Sequence, residues 1–181
     1  QGGHDAKFVE GDVSDETSVR QMVEIAAGFG PQSGQIDCLI NVAGVDIIAK
    51  LEDTELDRWN RALAVNLTSM YLTSKASLPY LKAAGRSSIV NISSIQAQRG
   101  FSAFPAYASA KGGIVSFSRQ LAVDYASSGV RVNSVSPGPV ITNLAATSIA
   151  NEPDFPPVGT AGAPDIAAAE EAAVELPGFD P

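Results

Sequence analysis

Cysteine is nearly absent from this chain of 181 residues: Cys38 stands alone, so no disulfide can close within the chain and a zinc-cysteine cluster is not expected. Histidine is as scarce. The single one, His4, lies beside Asp5 at the N-terminal end, where fraying is expected, and neither a catalytic nor a metal-binding role is assigned to it. No metal site is expected. No uninterrupted apolar run is long enough to span a bilayer, and no basic-then-apolar signal segment opens the chain. A cytoplasmic protein with no membrane partner is the expectation. Positive charge also runs out: all twelve Lys and Arg lie at or before Arg131, against thirteen Asp and Glu in 1–142, whereas 143–181 holds seven acids and no base. A nucleic-acid reader needs a basic stripe, and with a net charge of −8 and no such stripe that class is set aside.

What the chain does have is enough apolar content for one core. At 45% hydrophobic character, its length suits a single domain and not comfortably two. Strand-like and helix-like stretches alternate, as a doubly wound α/β sheet requires. Lys7 to Glu10 reads as a short strand. Ser14 can cap a helix in which Val19, Met22, Val23, Ala26 and Phe29 recur at helical spacing, with Gly30-Pro31 as its end. Ile36 to Val42 reads as a buried strand that takes Cys38 into the core. Thr54 to Lys82 is helical in period, with Trp59, Leu63, Leu67, Met70 and Tyr71 on one side, an interruption at Asn66 and a kink near Pro79. Ser87 to Ser94 is a β-branched run, Gly112 to Tyr125 a helix, Gly129 a left-handed cap and Val130 to Val135 another buried strand. Beyond Asn143, Ile166 to Leu176 could form an Ala-rich helix between proline-bearing loops.

The chemistry lies in Ser94 and, further on, Tyr107-Ala-Ser-Ala-Lys111. On a helix a four-residue step puts Tyr107 and Lys111 on one face, about one turn apart. A free tyrosine titrates near 10, and bringing it to about 7 takes ~3 units, or ~4 kcal/mol, of preferential phenolate stabilisation. A lysine cation in a partly desolvated cleft is expected to supply it. Tyr-x-x-x-Lys alone is a weak signal, since four tyrosines and five lysines in 181 positions make one chance match roughly a one-in-ten event. Its context between a strand end and a helix start carries the weight, because ligands of open α/β sheets bind at the carboxyl ends of strands.

Each of these residues also has an unremarkable reading. Ser94 can simply end its strand, Asn66 can satisfy its own backbone in a helix, and Asn41-Val-Ala-Gly44 can be a strand closed by a glycine turn. Asp53, Glu55 and Asp57 suit a helix start without any metal.

Taken in order, the motifs resemble those of the short-chain dehydrogenase/reductase family from about Asp5 to Thr142. Asp12-Val13 is similar to its adenine-contacting pair, Asn41-Val-Ala-Gly44 to its Asn-Asn-Ala-Gly motif, and Asn66, Ser94, Tyr107 and Lys111 to its catalytic tetrad. Pro137-Gly138-Pro139-Val140 with Thr142 resembles the stretch that holds the nicotinamide carboxamide.

The resemblance implies a Rossmann-like, doubly wound parallel sheet that is partial here, without the family's first two strands, its glycine-rich loop and its closing strand. A dinucleotide-binding catalytic domain over 1–142 is then followed by an acidic lid or irregular tail of the same domain over 143–181. The implied cofactor is NAD or NADP, held by Asp12, Val13, Asn41, Ala43, Gly44, Tyr107, Lys111, Pro137, Gly138, Val140 and Thr142. The implied activity is hydride transfer between an alcohol and a ketone or aldehyde. Tyr107 serves as acid and base, Ser94 orients the oxygen, Lys111 tunes Tyr107 and holds the ribose, and Asn66 anchors a relaying water. A homodimer or homotetramer is implied for the full-length protein. The rival readings are a silent fragment that cannot hold the dinucleotide and, from another reaction class, dehydration or epimerisation by the same tyrosine-lysine pair. The substrate and the choice between NAD and NADP are not legible.

Overall fold

A computed structural model describes residues 5–29 and 33–138. Within them three parallel strands, β1 (Cys38–Asn41), β2 (Ser87–Ile92) and β3 (Val130–Val135), form one sheet in that order. Cys38 pairs with Ser88 and Asn41 with Asn91, while Ser87 pairs with Val130 and Ile92 with Val135. Parallel neighbours need crossover connections, and helices provide them. α1 (Glu16–Ala27) precedes β1. α2 (Leu56–Leu63), a π segment (Ala64–Thr68) and α3 (Ser69–Ala83) run from β1 to β2, and α4 (Pro105–Tyr125) from β2 to β3.

Alternation along the strands decides where the core sits. Ile89 on β2 and Val130 and Val132 on β3 are buried against Leu81 of α3 and Leu121 and Ala122 of α4, so both crossover helices cover one sheet face. A second cluster, Val19, Val23 and Leu72 with Met22 and Tyr80, fixes α1 on α3. A third, Ile47, Ala62 and Ala106 with Trp59, joins the loop after β1 to α2 and α4. On the uncovered face Ile40 is 59% exposed and Val42 62%, so the strands expected to be buried are buried on one side only. Cys38 is exposed on that side as well, contrary to the expectation of a core residue, and its sulfur accepts from Ser88 Oγ at 3.3 Å.

Several local expectations are corrected. Residues 7–10 are not a strand: no ladder partner reaches them among the described residues, and Phe8 is 89% exposed. Asp15, not Ser14, caps α1, its carboxylate accepting from Ser18 N at 2.7 Å. Ser14 instead bonds Asp12, donating to its carboxylate from both the backbone N–H (2.8 Å) and the hydroxyl (2.6 Å). Phe29 falls beyond α1 and is exposed, and Tyr71 projects outward from α3 while Met70 beside it is buried. α3 runs through Pro79, and the irregularity lies at the π segment around Asn66. Gly129 does take the left-handed cap, with φ of 77°. Gly30-Pro31 and everything from Pro139 onward, including Val140, Thr142, Ile166 to Leu176 and the 143–181 segment, lie outside the described residues.

Candidate active site

The carboxyl ends of the strands open onto the start of α4. Pro105 takes the first position of α4, where its missing N–H costs nothing, and the helix then carries Tyr107 and Lys111 one turn apart on its buried face, 8% and 3% exposed. Lys111 Nζ donates to the carbonyl of Ile92 at the end of β2 (2.9 Å) and stands 5.3 Å from the Tyr107 ring centroid. The end of β2 is tied to the same helix by Ser93 Oγ, which donates to the Lys111 carbonyl at 2.8 Å. Ser94 follows at once, 9% exposed, and its hydroxyl acts on the Tyr107 phenol in the direction that lowers its pKa. Its own Oγ accepts from Gln96 N at 3.1 Å, so it both ends the strand and faces the phenol.

Asn66 is fully buried in the π segment, a form of helical irregularity that recurs at functional sites. Its Nδ2 donates to the carbonyls of Ala62 and Val45, each at 2.9 Å, and its Oδ1 accepts from Val45 N at 3.1 Å. The loop after β1 is thereby clamped to the helix. Gly44 makes this approach possible, because a Cβ there would stand 2.9 Å from Asn66 Oδ1 and 3.7 Å from Lys111 Nζ. Asn41 points inward: its Nδ2 donates to Asn91 Oδ1 (2.8 Å), its Oδ1 accepts from Thr73 Oγ1 (2.8 Å), and Asn91 donates on to Ser118 Oγ (2.9 Å). This buried polar chain knits β1, β2, α3 and α4 together beneath the site.

The charges at the site differ from the sequence expectation. Burial, reinforced by the Asp46 carboxylate and opposed by the Ser94 hydrogen bond, pushes the Tyr107 phenol up to about 12 rather than down. Burial brings Lys111 down to about 8 against the pull of Asp46. An ammonium held at the Ile92 carbonyl, under the same desolvation that disfavours a phenolate, does not outweigh that desolvation. Asp46 is the residue that sequence reasoning missed. The available signal was an acid two positions after the turn glycine, where the loop leaves the strand.

The other positions that could hold a dinucleotide lie along the same strand ends. Ala43 is exposed at the exit of β1, and Pro137 and Gly138 follow β3, with the Pro137 carbonyl accepting from Ile95 N at 3.0 Å. Among the described residues nothing stands within 4 Å of where a Gly138 Cβ would be. Exposed Ala43 and the open backbone at Gly138 fit a flat, extended group laid across the sheet edge. Asp12 lies before α1 beside partly buried Val13, its carboxyl held low by the two Ser14 bonds and, more weakly, by Arg61. Among the described residues no group of three or more His, Cys, Asp or Glu could hold a metal.

The family model described as short chain dehydrogenase matches residues 1–153. The chain belongs to this family. Among curated members of the short-chain dehydrogenases, it is 36% identical over 168 residues to the cis-4-hydroxycyclohexanecarboxylate dehydrogenase of Sinomonas cyclohexanicum, covering 90% of this chain and 66% of that one. It is also 36% identical over 142 residues to the D-beta-hydroxybutyrate dehydrogenase of Rhizobium meliloti (strain 1021), covering 77% and 54%. A solved gluconate 5-dehydrogenase from Burkholderia cenocepacia J2315, in complex with NADP and tartrate, superposes with a TM-score of 0.69 at 29% identity, covering 75% of this chain and 52% of that one. The chain therefore spans about half to two thirds of the length of these relatives. Its fold is Rossmann-like, and it is an oxidoreductase-family chain in which no described helix is long and apolar enough to cross a membrane.

Proposed function

We propose that Ser94, Tyr107, Lys111 and Asn66 form the reacting site of an NAD(P)-dependent oxidoreductase that interconverts an alcohol and a ketone or aldehyde. The observation that carries the reading is the triangle at the start of α4: Ser94 on the Tyr107 hydroxyl, and Lys111 Nζ 5.3 Å from the same ring. The dinucleotide, when bound, supplies the hydride donor or acceptor and, in its oxidised form, a positive charge. In reduction, Tyr107 Oη gives its proton to the carbonyl oxygen while Ser94 Oγ holds that oxygen in place. In oxidation the same Oη receives the proton from the alcohol. A phenol pushed up to about 12 is fully protonated at neutral pH, which suits the donor role directly. The acceptor role draws on the nearby cation of Lys111.

The residues proposed to hold the dinucleotide are Asp12 and Val13 toward the adenine, Ala43 by open backbone with Gly44 beside it, Lys111 toward the ribose, and Pro137 and Gly138 toward the nicotinamide. Asn41 supports the β1 exit from beneath, and Val140 and Thr142 complete the proposed set. The NADP named for the gluconate 5-dehydrogenase supports a nicotinamide dinucleotide of either kind. A small-molecule alcohol or carbonyl compound is the proposed substrate, and a homodimer or homotetramer the proposed assembly of the full-length protein.

The test is dinucleotide-dependent turnover of secondary alcohols by the full-length protein and its Tyr107→Phe variant. The variant is expected to lose at least about 99% of turnover, since positioned acid-base catalysis is worth about 10²–10⁴-fold, with dinucleotide affinity little changed. More than a tenth of wild-type turnover remaining would remove Tyr107 from the role.

A further inference from the structure

Arg61 of α2 has no part in the mechanism above, yet its guanidinium reaches the turn before α1. There Nη1 donates to Ser14 Oγ at 2.9 Å, across 47 positions of sequence. The Ser14 hydroxyl donates in its turn to Asp12 Oδ1 (2.6 Å), and Ser14 N–H donates to the same oxygen (2.8 Å). A hydroxyl that donates to a carboxylate is left as an acceptor, and a guanidinium, which only donates, matches it. Asp12 Oδ2 differs: it lies 4.0 Å from Arg61 Nη1, an ion pair beyond hydrogen-bond length, and takes no hydrogen bond among the described residues. Its lone pairs remain open to a further donor. The backbone of the turn is fixed from the side of α1, where Asp12 N–H donates to Ser18 Oγ (2.8 Å) and Asp15 N–H to the Asp12 carbonyl (3.2 Å). A Cβ at Gly11 would meet the Met22 and Ser18 side chains, so the chain lies close against that helix. The apolar clusters join α1 to α3 and α2 to α4, and the Arg61 bonds link these two separately packed parts. Five positions after Arg61, the same helical run carries Asn66.

We propose that Arg61 is a positioning residue for the dinucleotide: through Ser14 and Asp12 it aims Asp12 Oδ2 at the exocyclic amine of the adenine, and it serves as the counter-ion of that carboxylate once the adenine covers both. This rests on the reading of Asp12 as a residue that faces the adenine. In the free chain the pair is open to water, the Arg61 side chain 52% and that of Asp12 55% exposed, and such pairs contribute little to stability. A bound adenine displaces that water. The attraction of opposite charges strengthens as the local dielectric falls, and a carboxylate that would otherwise be desolvated alone keeps its partner. The pair is therefore worth more in the complex than in the free protein, and the difference appears as affinity.

The experiment titrates the full-length protein with NADH or NADPH, whichever binds more tightly, and with its hypoxanthine counterpart, in which an oxygen replaces the amine. Wild-type protein is expected to favour the adenine form by about tenfold or more. Arg61→Met is expected to cut that ratio by about fivefold, whereas Arg61→Lys, which keeps the charge and a donor, stays within about twofold of wild type. A general loss of folding lowers both affinities and leaves their ratio unchanged. In an Asp12→Ala background Arg61→Met is expected to change the ratio by less than about twofold, because its path to the adenine is already cut. A wild-type ratio near one, a ratio unmoved by Arg61→Met, or an Arg61 effect that persists without Asp12 would overturn the proposal. If the amine preference depends on Arg61 but no alcohol is turned over, the proposed reaction fails and the positioning role stands. If alcohols are oxidised and the preference ignores Arg61, the positioning role alone fails.

Discussion

Lysine and tyrosine buried side by side titrate in opposite directions for one reason: burial penalises whichever form carries charge. Their pairing was legible in the sequence as a four-residue step, but its electrostatic sign was not, because desolvation depends on what covers the residues. The same burial makes a stability prediction. Lys111 titrates near 8 in the folded chain against 10.5 when free, so from about pH 8 to 10.5 the unfolded state binds more protons and the Lys111 contribution to stability rises with pH. That contribution is lost as pH falls through about 8. Tyr107 does the reverse, its contribution falling as pH rises from 10 toward about 12. Urea unfolding of wild type and Lys111→Met between pH 7 and 10 isolates the first effect, since the other groups are shared. Wild type is expected to gain on the variant across that interval. A constant difference would contradict the assigned burial of the charge.

Among the elements, existence and order were legible from periodicity, and most of the departures have identifiable causes. The stretch 7–10 had strand-like residues, but a strand is a ladder, and pairing partners cannot be read from the strand alone. α2, the π segment and α3 follow one helical period, and Asn66 marked the break, while α3 stays continuous through Pro79. A proline leaves visible evidence in a sequence, whereas a π segment depends on a distant partner, here the backbone of Val45. Asn66→Ala removes three hydrogen bonds, one buried and two part-buried, and orphans both polar groups of Val45. A loss of about 2–4 kcal/mol is expected, measured by denaturant unfolding, with turnover falling further than stability alone accounts for as the 43–49 loop is released. A loss below about 0.5 kcal/mol would show that the clamp does not hold the loop.

At the scale of the whole molecule, the C-terminal edge of a three-stranded parallel sheet gathers residues up to 92 positions apart in sequence, from Asp46 through Asn66, Ser94 and Lys111 to Pro137 and Gly138. Motif order made that convergence legible, and the contribution of Asp46 was hidden because no motif includes it. Apolar surface remains on the helices, with Leu56 69%, Tyr71 46% and Val123 76% exposed, which supports pairing of the helices around Leu63 to Leu81 and Ala106 to Tyr125 with those of another copy. Light scattering of the full-length protein at micromolar concentration is expected to give a dimer or tetramer, and a stable monomer would contradict the pairing. The central claim, hydride transfer at the Tyr107 site, is tested most directly by isotope. A secondary alcohol substrate deuterated on its carbinol carbon is oxidised by the full-length protein, and the reduced dinucleotide is analysed by mass and NMR. The deuterium is expected on C4 of the nicotinamide, on one face only, and Tyr107→Phe is expected to abolish the transfer. Deuterium released to solvent, or retained in a product formed without change in the dinucleotide, would contradict it.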